Sequence, residues 1–328
     1  MLKHRNNQPS QPKRIVLLGA GGFLGTHLRR SFSSAGIDCL ALGRADLDLT
    51  QPDSAARLSE LVRPDDTIVM TSILTPEKGR DFHVFNDNLR MAHSVCLALE
   101  RKSCAQFVYL SSDAVYDAHK IPLDEDSTRE PIDLYSLTHT AREMLVASVL
   151  SRSATPFCVL RPTNIYGHGD THGNYGPNSF VRSALNDKRI VLYGRGEERR
   201  SHLYIDDAVT LILRAIAMRS EGTLNLAVRP AISYMDVAKI VVRNCEGTVA
   251  IDFVPRTIQA VHRPYKATQV FRFIYNHGRK IGPIVHRPFA VSAIFDAFPD
   301  FRYTPLEEGI RAYLKLQSQD KGNGAILP

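Results

Sequence analysis

The sequence predicts an α/β fold in which a doubly wound parallel sheet is joined to a smaller C-terminal lobe. Two observations support this prediction. Short apolar runs alternate with helical patterns along the first half of the chain, which favours a parallel sheet covered on both faces. A glycine cluster, GAGGFLG (Gly19 to Gly25), stands where the first apolar run gives way to a helical pattern.

The predicted strands are branched apolar runs, as is typical of strands buried on both faces. They are residues 14–18, 39–42, 67–71, 106–111 and 157–160, and the clearest helical patterns are 82–99 and 134–150. Beyond Tyr166 the chain changes to glycine-rich loops and shorter elements. We therefore predict a Rossmann-type domain of residues 14–166, completed by 201–228, and a second lobe of 167–200 and 229–320.

Composition excludes several classes of protein. The 328 residues are 44% hydrophobic and 23% charged, which excludes a wholly disordered chain and allows a large core. Residues 1–13 are polar and predict a flexible tail rather than a signal peptide. We expect no transmembrane segment, since no apolar run approaches the roughly 18 residues that a span needs. Five cysteines without a CxxC pair favour buried thiols and a cytoplasmic protein.

The net charge of +7 indicates either a solvated surface or a preference for anionic ligands. Residues 270–289, VFRFIYNHGRKIGPIVHRPF, mix aromatic and basic side chains. This pattern is found in contacts with nucleic acid or membrane surfaces, but also in amphipathic insertions that cover a core. We favour an insertion and expect no nucleic-acid partner.

The glycine cluster predicts a phosphate-binding turn. Gly19 permits the sharp turn, Gly22 lets backbone N–H groups approach an anion, and Gly25 lets helix and strand pack closely. Phe23 and Leu24 open the helix, whose N-terminus adds free N–H donors and a partial positive charge.

Arg44 bears on the choice of cofactor. The second predicted strand ends in CLALGR, with Gly43 and Arg44 where an acidic residue would hold the ribose of NAD. A guanidinium can instead form two hydrogen bonds to the extra phosphate of NADP. The alternative is a surface arginine without a ligand. We expect NADP(H) to be favoured, with NAD(H) still possible.

Six segments match a set of motifs in order along the chain. They are GAGGFLG for GxxGxxG, SSDAVY for a Ser/Thr motif, YSLTH for YxxxK, RPTNIYG for RPxNxYG, GRGEERRSHLYIDD for GxGxxxRxxxxVxD, and the closing YTPLEEG. From about residue 14 to residue 314 the chain thereby resembles the extended short-chain dehydrogenase/reductases, a family of nucleotide-sugar epimerases, dehydratases and reductases.

The resemblance implies a nucleotide-diphosphate sugar substrate and assigns the site residues. Ser112 would hydrogen-bond the substrate oxygen, and Tyr135 would pass a proton to or from it while the nicotinamide carries the hydride. Asn164 and Arg200 would hold the substrate diphosphate. The adenine would lie against residues Asp48 and Leu49.

Asp113 bears on the type of reaction. Dehydratases of the family follow this acid with a second one, whereas this chain has Ala114, which counts against dehydration. The segments ALGRADLDLTQP and SSDAVYDAHKIPLDED resemble those of the family's 4-keto-sugar reductases, which implies reduction of the 4-keto group of a nucleotide-linked hexose, in the biosynthesis of a surface polysaccharide. A 4-epimerase with tightly held NAD is the alternative reaction.

His139 stands where YxxxK requires lysine. A residue four positions after Tyr135 lies on the same face of a helix, so we expect His139 to face the cofactor and donate one hydrogen bond to its ribose. A histidine is mostly uncharged at neutral pH and assists phenolate formation less than lysine does. We expect His139→Lys to retain or raise activity. A catalytically weakened module that only binds nucleotides is the alternative to an enzyme.

Two further expectations concern metals and assembly. The segment GHGDTHG brings His168 and His172 near Asp170, but glycine-rich loops rarely preorganise a metal site, and we predict a lid and no metal. Related enzymes pair the helix at 134–150 with one like 82–99 across a two-fold axis, which implies a homodimer. The alternative is a helix buried within its own chain.

Overall fold

The computed structural model describes residues 1–116, 121–170, 176–255 and 284–322. The first elements are β1 Lys3–His4, β2 Arg14–Leu18, α1 Phe23–Ser34, β3 Cys39–Leu42, α2 Ser54–Leu61, β4 Asp66–Met70, α3 Phe82–Arg101, β5 Gln106–Leu110, a 3₁₀ turn at Asp113–Val115, α4 Leu134–Leu150, β6 Phe157–Pro162 and β7 Asn164–Tyr166. The later elements are α5 Gly176–Asn186, β8 Arg189–Tyr193, β9 Arg199–Arg200, β10 His202–Tyr204, α6 Ile205–Ala217, β11 Ser220–Leu226, β12 Ile232–Ser233, α7 Tyr234–Asn244, β13 Ala250–Val254, α8 Ser292–Ala297 and α9 Leu306–Gly322.

Seven of the described strands form one sheet in the order β1-β11-β6-β5-β4-β2-β3. All neighbours are parallel except β1, which runs antiparallel to β11. The chain passes from β2 outward to β3 and then crosses back to β4 on the other side of β2. The direction of winding therefore reverses between β2 and β4, and ligands of such sheets bind at the carboxyl ends of the strands at this point. The predicted doubly wound, Rossmann-type sheet is confirmed.

Strand β2 shows why its sequence carries no polar alternation. Ile15 and Leu17 lie in one core cluster with Phe32 of α1, while Val16 and Leu18 lie in a second cluster with residues of α3 and α4. Successive side chains of a strand point to opposite faces, so both faces of this strand must be apolar.

Helix α4 begins at a capping box. The Asp133 carboxylate accepts a hydrogen bond from the Ser136 backbone N–H at 2.7 Å, and the Ser136 hydroxyl oxygen accepts one from the Asp133 N–H at 3.1 Å. This cap fixes the start of the helix and therefore its inward face, on which Tyr135 and His139 lie one turn apart.

The first residues do not form the flexible tail that the sequence predicts. Lys3 and His4 pair with Glu221 and Ser220, and the His4 ring nitrogens lie 2.8 Å from the Ser220 hydroxyl and 3.0 Å from the Ala297 carbonyl oxygen. The prediction was wrong at these residues because the open edge of β11 offers backbone hydrogen bonds to any extended segment, whatever its apolar content.

The segment 270–289 is described only from residue 284 onward. Within that part Arg287 and Phe289 are buried, and the Phe289 ring lies 6.3 Å from the Tyr116 ring, centroid to centroid. This end of the segment is therefore part of the packed interior. In the described parts of the chain, no helix is both long and apolar enough to cross a bilayer.

The turn between β2 and α1 depends on two glycines. Gly19 has a φ of +91°, and a Cβ there would lie 2.6 Å from the Ser72 backbone nitrogen. A Cβ at Gly25 would lie 2.2 Å from the Gly19 carbonyl oxygen, inside any van der Waals contact. The helix can therefore back onto the turn only because position 25 has no side chain.

We expect Gly25→Ala to lower the free energy of unfolding by about 1–3 kcal/mol, because the new methyl group must displace rigid backbone. Gly21→Ala is the matched control, since a Cβ at Gly21 meets no atom within 4 Å. Urea unfolding of both variants measures the difference. Equal stability of the two variants would contradict this packing.

Candidate active site

The β2–α1 turn lies at the point where the winding of the sheet reverses, which suits it to hold a dinucleotide. Gly22 caps α1 in an extended conformation without a side-chain hydrogen bond, and Phe23 and Leu24 open the helix. The first N–H groups of a helix have no partner within it and carry partial positive charge. The first turn of α1 has no acidic side chain to compete for these donors. The β2–α1 turn and the first N–H groups of α1 therefore fit the phosphates of a nicotinamide dinucleotide.

Arg44 and Asp48 lie together just after β3. The exposed Arg44 guanidinium contacts the Asp48 carboxylate, with Nε 3.2 Å from Oδ2. Burial opposes the ionised form of Asp48, but hydrogen bonds from Thr50, Arg44 and Gln51 outweigh this effect and lower its pKa to about 2. The Leu49 side chain lies in the core, so an adenine here would meet Asp48 and the Leu49 backbone rather than that side chain.

Ser112 and Tyr135 come from two segments that pack against each other. Ser112 precedes the 3₁₀ turn and is half-buried, and its hydroxyl oxygen accepts a hydrogen bond from the Ala114 N–H at 3.1 Å. Tyr135 is half-buried in the first turn of α4, which packs against the 3₁₀ turn. The structure thus brings the two segments together at the carboxyl end of β5.

Asp113 is held by an arginine that the sequence analysis did not single out. The Arg287 Nε lies 3.3 Å from the Asp113 carboxylate, and Arg287 Nη2 donates to the Asp113 carbonyl oxygen at 2.6 Å. Arg287 is buried, so this carboxylate next to Ser112 lies in an ion pair shielded from solvent. Nothing in the spacing of a residue 174 positions away indicates this contact.

His139, which the sequence analysis expects to face the cofactor, is enclosed within the protein. The ring is only 1% exposed, its Nδ1 lies 2.9 Å from the Tyr109 hydroxyl, and its Nε2 is buried without a hydrogen-bond partner among the described residues. Tyr109 reaches Nδ1 of the ring from the neighbouring strand β5. The imidazole also contacts the Tyr135 ring edge to face, at a centroid distance of 4.8 Å and an interplanar angle of 84°.

The imidazole of His139 is neutral. Burial, with a smaller contribution from the Arg142 charge, lowers its pKa to about 3. Burial raises the pKa of Tyr109 to about 12, so Tyr109 stays a phenol. The hydrogen bond between them therefore joins two neutral groups, and the tautomer of the ring decides which atom donates.

Two turns after Tyr135, Glu143 is the centre of a buried polar network. Its carboxylate accepts from Ser111 at 2.5 Å and from two Arg161 nitrogens at 2.9 and 2.7 Å, and Arg129 approaches at 3.2 Å. Arg161 also donates to the Tyr116 hydroxyl at 2.5 Å. The network joins α4 to β6 and to the residue before Ser112, and it satisfies the charges that it buries.

Arg142 is next to Glu143 in the sequence, but no carboxylate among the described residues pairs with it. The residue is fully buried; Nη2 donates to the Ser72 carbonyl oxygen at 2.7 Å, and the guanidinium carbon lies 5.3 Å from the centre of the Tyr109 ring. Nε and Nη1 are buried and have no hydrogen-bond partner. Arg142 and Glu143 lie seven and eight residues after Tyr135, and this helical spacing is the signal that could have found both.

Asn164 and Arg200 lie in segments that are neighbours in the fold. Asn164 of β7 is the register partner of His202 in β10, and Arg200 precedes His202 by two residues. Arg200 forms an ion pair with Glu198, while its Nη1 is buried without a partner. Burial and the Arg200 charge lower the pKa of His202 to about 3, so a neutral ring lies beside the arginine.

The histidine loop gives no metal cluster in the described part of the chain. His168 Nε2 lies 2.6 Å from the Asp320 carboxylate, Asp170 faces Arg182, and His172 lies outside the described residues. No group of three or more His, Cys, Asp or Glu side chains among the described residues could hold an ion.

A sequence model of the NAD dependent epimerase/dehydratase family matches residues 15–227. The chain belongs to this family. It is an enzyme family of the extended short-chain dehydrogenase/reductase type, so the resemblance found in the sequence is confirmed.

Comparison with known proteins agrees on the family and spans several reactions. The chain is 26% identical over 285 residues to GDP-mannose 3,5-epimerase 1 of Oryza sativa subsp. japonica, covering 77% of this chain and 74% of that protein. It is 23% identical over 262 residues to dTDP-4-dehydro-6-deoxy-D-allose reductase of a Streptomyces species, covering 70% and 80%. The structure of a GDP-L-fucose synthetase from Naegleria fowleri bound to NADP superposes with a TM-score of 0.80 at 18% identity, covering 97% of both chains, which shows a shared fold.

The neutral imidazole predicts how stability depends on pH. The pKa of His139 is about 3 in the folded protein and about 6.5 in the unfolded chain, so below pH 6.5 the unfolded state binds the extra proton. The contribution of His139 is fully present above pH 6.5 and declines as the pH falls towards 3. Between pH 7 and pH 5 this loss is about 2 kcal/mol.

We expect His139→Gln to lose about 2 kcal/mol less than the native protein over this interval, as measured by urea unfolding at pH 7 and pH 5. His93→Gln, which changes an exposed histidine of α3, should behave as the native protein does. An unchanged acid sensitivity in His139→Gln would show that the imidazole is protonated in the fold.

Proposed function

We propose that this enzyme uses NADPH to reduce the 4-keto group of a nucleotide-diphosphate hexose, in the biosynthesis of a surface polysaccharide. The observation that carries the proposal is Arg44, an exposed guanidinium at the carboxyl end of β3. It stands where an acidic residue would select NAD, and it can bind the extra phosphate of NADP through two hydrogen bonds. NADP suits a reductase that releases oxidised cofactor after each cycle.

The residues at positions 113 and 114 support reduction over dehydration. Dehydratases of the family follow this acid with a second one, where this chain has Ala114. The Asp113 carboxylate is held by Arg287 and can accept hydrogen bonds from a sugar hydroxyl. We infer that Asp113 orients the substrate.

The proposed chemistry uses the half-buried hydroxyls of Ser112 and Tyr135. The nicotinamide, when bound, supplies the hydride to the keto carbon. Ser112 donates a hydrogen bond to the keto oxygen, and Tyr135 gives that oxygen its proton. The Glu143 network fixes the Ser111–Ser112 segment relative to α4, so the two hydroxyls are held at a constant separation.

We infer that residues 14–166, with 201–228, hold the dinucleotide and that 167–200 and 229–320 hold the sugar. Asn164 and the unpartnered Nη1 of Arg200 are suited to the diphosphate. We also propose a homodimer through α3 and α4, since α3 packs along α4 and Met144 on α4 is 62% exposed. The five free cysteines suit the cytoplasm, where thiols stay reduced.

The direct test is NADPH oxidation, followed by absorbance, with a panel of nucleotide-linked 4-keto-6-deoxyhexoses. We expect turnover by the native protein and a loss of about 10²-fold or more in kcat for Tyr135→Phe, because the proton donor is removed. Tyr193→Phe, which removes a hydroxyl from an exposed ring on β8, is the matched control.

Other outcomes would assign a different function. Tightly co-purifying NAD, with interconversion of two nucleotide sugars and no net oxidation, would indicate a 4-epimerase. Bound cofactor without turnover of any sugar, in the native protein and in His139→Lys alike, would indicate a binding module. The structure alters the earlier expectation for His139→Lys, since a lysine there would be buried beside the Arg142 charge, and we now expect it to lower stability.

We expect Arg44→Ala to weaken NADPH binding by about tenfold or more, since a charge-assisted hydrogen bond to phosphate contributes about 1.5–3 kcal/mol. NADH binding should change less than about twofold, because NADH lacks that phosphate. Arg30→Ala on the exposed face of α1 is the control, and fluorescence titration measures both cofactors. Equal weakening towards NADPH and NADH would assign Arg44 no role in cofactor choice.

A further inference from the structure

His139 supplies no positive charge that could stabilise the phenolate of Tyr135. Lysine in the family's YxxxK motif would give a fixed positive charge one turn from the phenol. His139 cannot, because the imidazole is buried and neutral with Tyr109 as its partner. A proton-transferring phenol whose free pKa is about 10 nevertheless benefits from a nearby cation.

Arg142 is a fully buried cation on the same helix as Tyr135. It lies three residues after His139 and seven after Tyr135, on the same face of α4. It is fully buried, and its field contributes to the lowered pKa of His139, whose ring contacts Tyr135. The guanidinium charge of Arg142 therefore acts on the His139 ring, which is in contact with Tyr135.

Unlike the other buried arginines near the site, Arg142 has no carboxylate partner among the described residues. Arg161 is paired with Glu143, and Arg287 with Asp113, whereas Arg142 bonds only to the Ser72 carbonyl oxygen and, more weakly, to the Met70 sulfur. Two of its nitrogens have no partner. Burying a charge without a partner of opposite sign costs several kcal/mol. The field of such a charge is not cancelled by a neighbouring ion and acts on the groups around it.

We propose that Arg142 is a positioning residue that replaces the motif lysine as the source of positive charge, so that its field favours the phenolate form of Tyr135. This inference rests on the proposed function only in giving Tyr135 a proton to transfer. The effect is electrostatic and needs no contact between the guanidinium and the substrate.

The groups that surround α4 leave this field uncancelled. From β5 comes Tyr109, a neutral phenol, and from α3 comes the Cys96 thiol, whose pKa burial raises to about 11. Among the described residues, Glu143 is paired with the buried Arg161 of β6 and is also approached by the more exposed Arg129, and Asp113 of the 3₁₀ turn is paired with Arg287, so neither carboxylate is left to cancel the Arg142 charge.

The test is a direct titration of Tyr135 without substrate or cofactor. Protein carrying ¹³Cζ-tyrosine is titrated by NMR, and Tyr135→Phe identifies the Tyr135 signal among the 12 tyrosines. We expect Tyr135 to titrate below about 10 in the native protein, and about one unit or more higher in Arg142→Met. Arg142→Lys, which keeps the charge, and His139→Gln, which removes only a neutral ring, should each stay within about half a unit of the native value.

Three results would overturn the proposal. A native Tyr135 that titrates at or above about 10, or a rise of about one unit in His139→Gln, would each do so even if Arg142→Met fails to fold. A folded Arg142→Met with an unchanged Tyr135 pKa would show that Arg142 only holds the Ser72 backbone in place through its hydrogen bond. None of these results depends on turnover, so a failure to find a substrate leaves this test intact.

Discussion

The close approach of the β2–α1 turn to the loop after β4 constrains the whole site. The Gly19 backbone lies so near Ser72 that no side chain fits between them, and α1 backs onto the same turn through Gly25. The Ser72 carbonyl oxygen is in turn hydrogen-bonded by Arg142 of α4. Three segments that are distant in sequence are thereby fixed around the place where the winding of the sheet reverses.

Helix α4 carries two kinds of buried charge with different consequences. Glu143 and Arg161 satisfy each other with two hydrogen bonds, and such a pair joins elements without leaving a net field. Arg142 donates through only one of its three guanidinium nitrogens, and no carboxylate among the described residues compensates its charge. Helix α4 therefore fixes the position of its neighbours through Glu143 and places a positive charge near Tyr135 through Arg142. The neutral His139 lies between Tyr135 and Arg142 along the helix.

The parts of the fold that follow from local pattern could be predicted. The branched run at residues 14–18 and the glycine cluster identified the first strand, the turn and α1, and the 134–150 pattern matched α4 at both ends. Side-chain partners could not be predicted where they come from distant segments: Tyr109 for His139, and Arg287 for Asp113. Hydrogen bonding and burial decide these contacts. Neither produces a repeating pattern of residue types that could be recognised in the sequence. The short β1 was missed because an edge strand needs no apolar pattern.

That N-terminal strand has a consequence for the edge of the sheet. A sheet of parallel strands ends in two rows of unpaired backbone groups, and β1 covers the beginning of one of them through the pairing of Lys3 and His4 with Glu221 and Ser220 of β11. The Met1 carbonyl oxygen also packs against Gly222, so a side chain at that position would collide with it. Two polar residues thus occupy backbone groups that an open edge would offer to another chain.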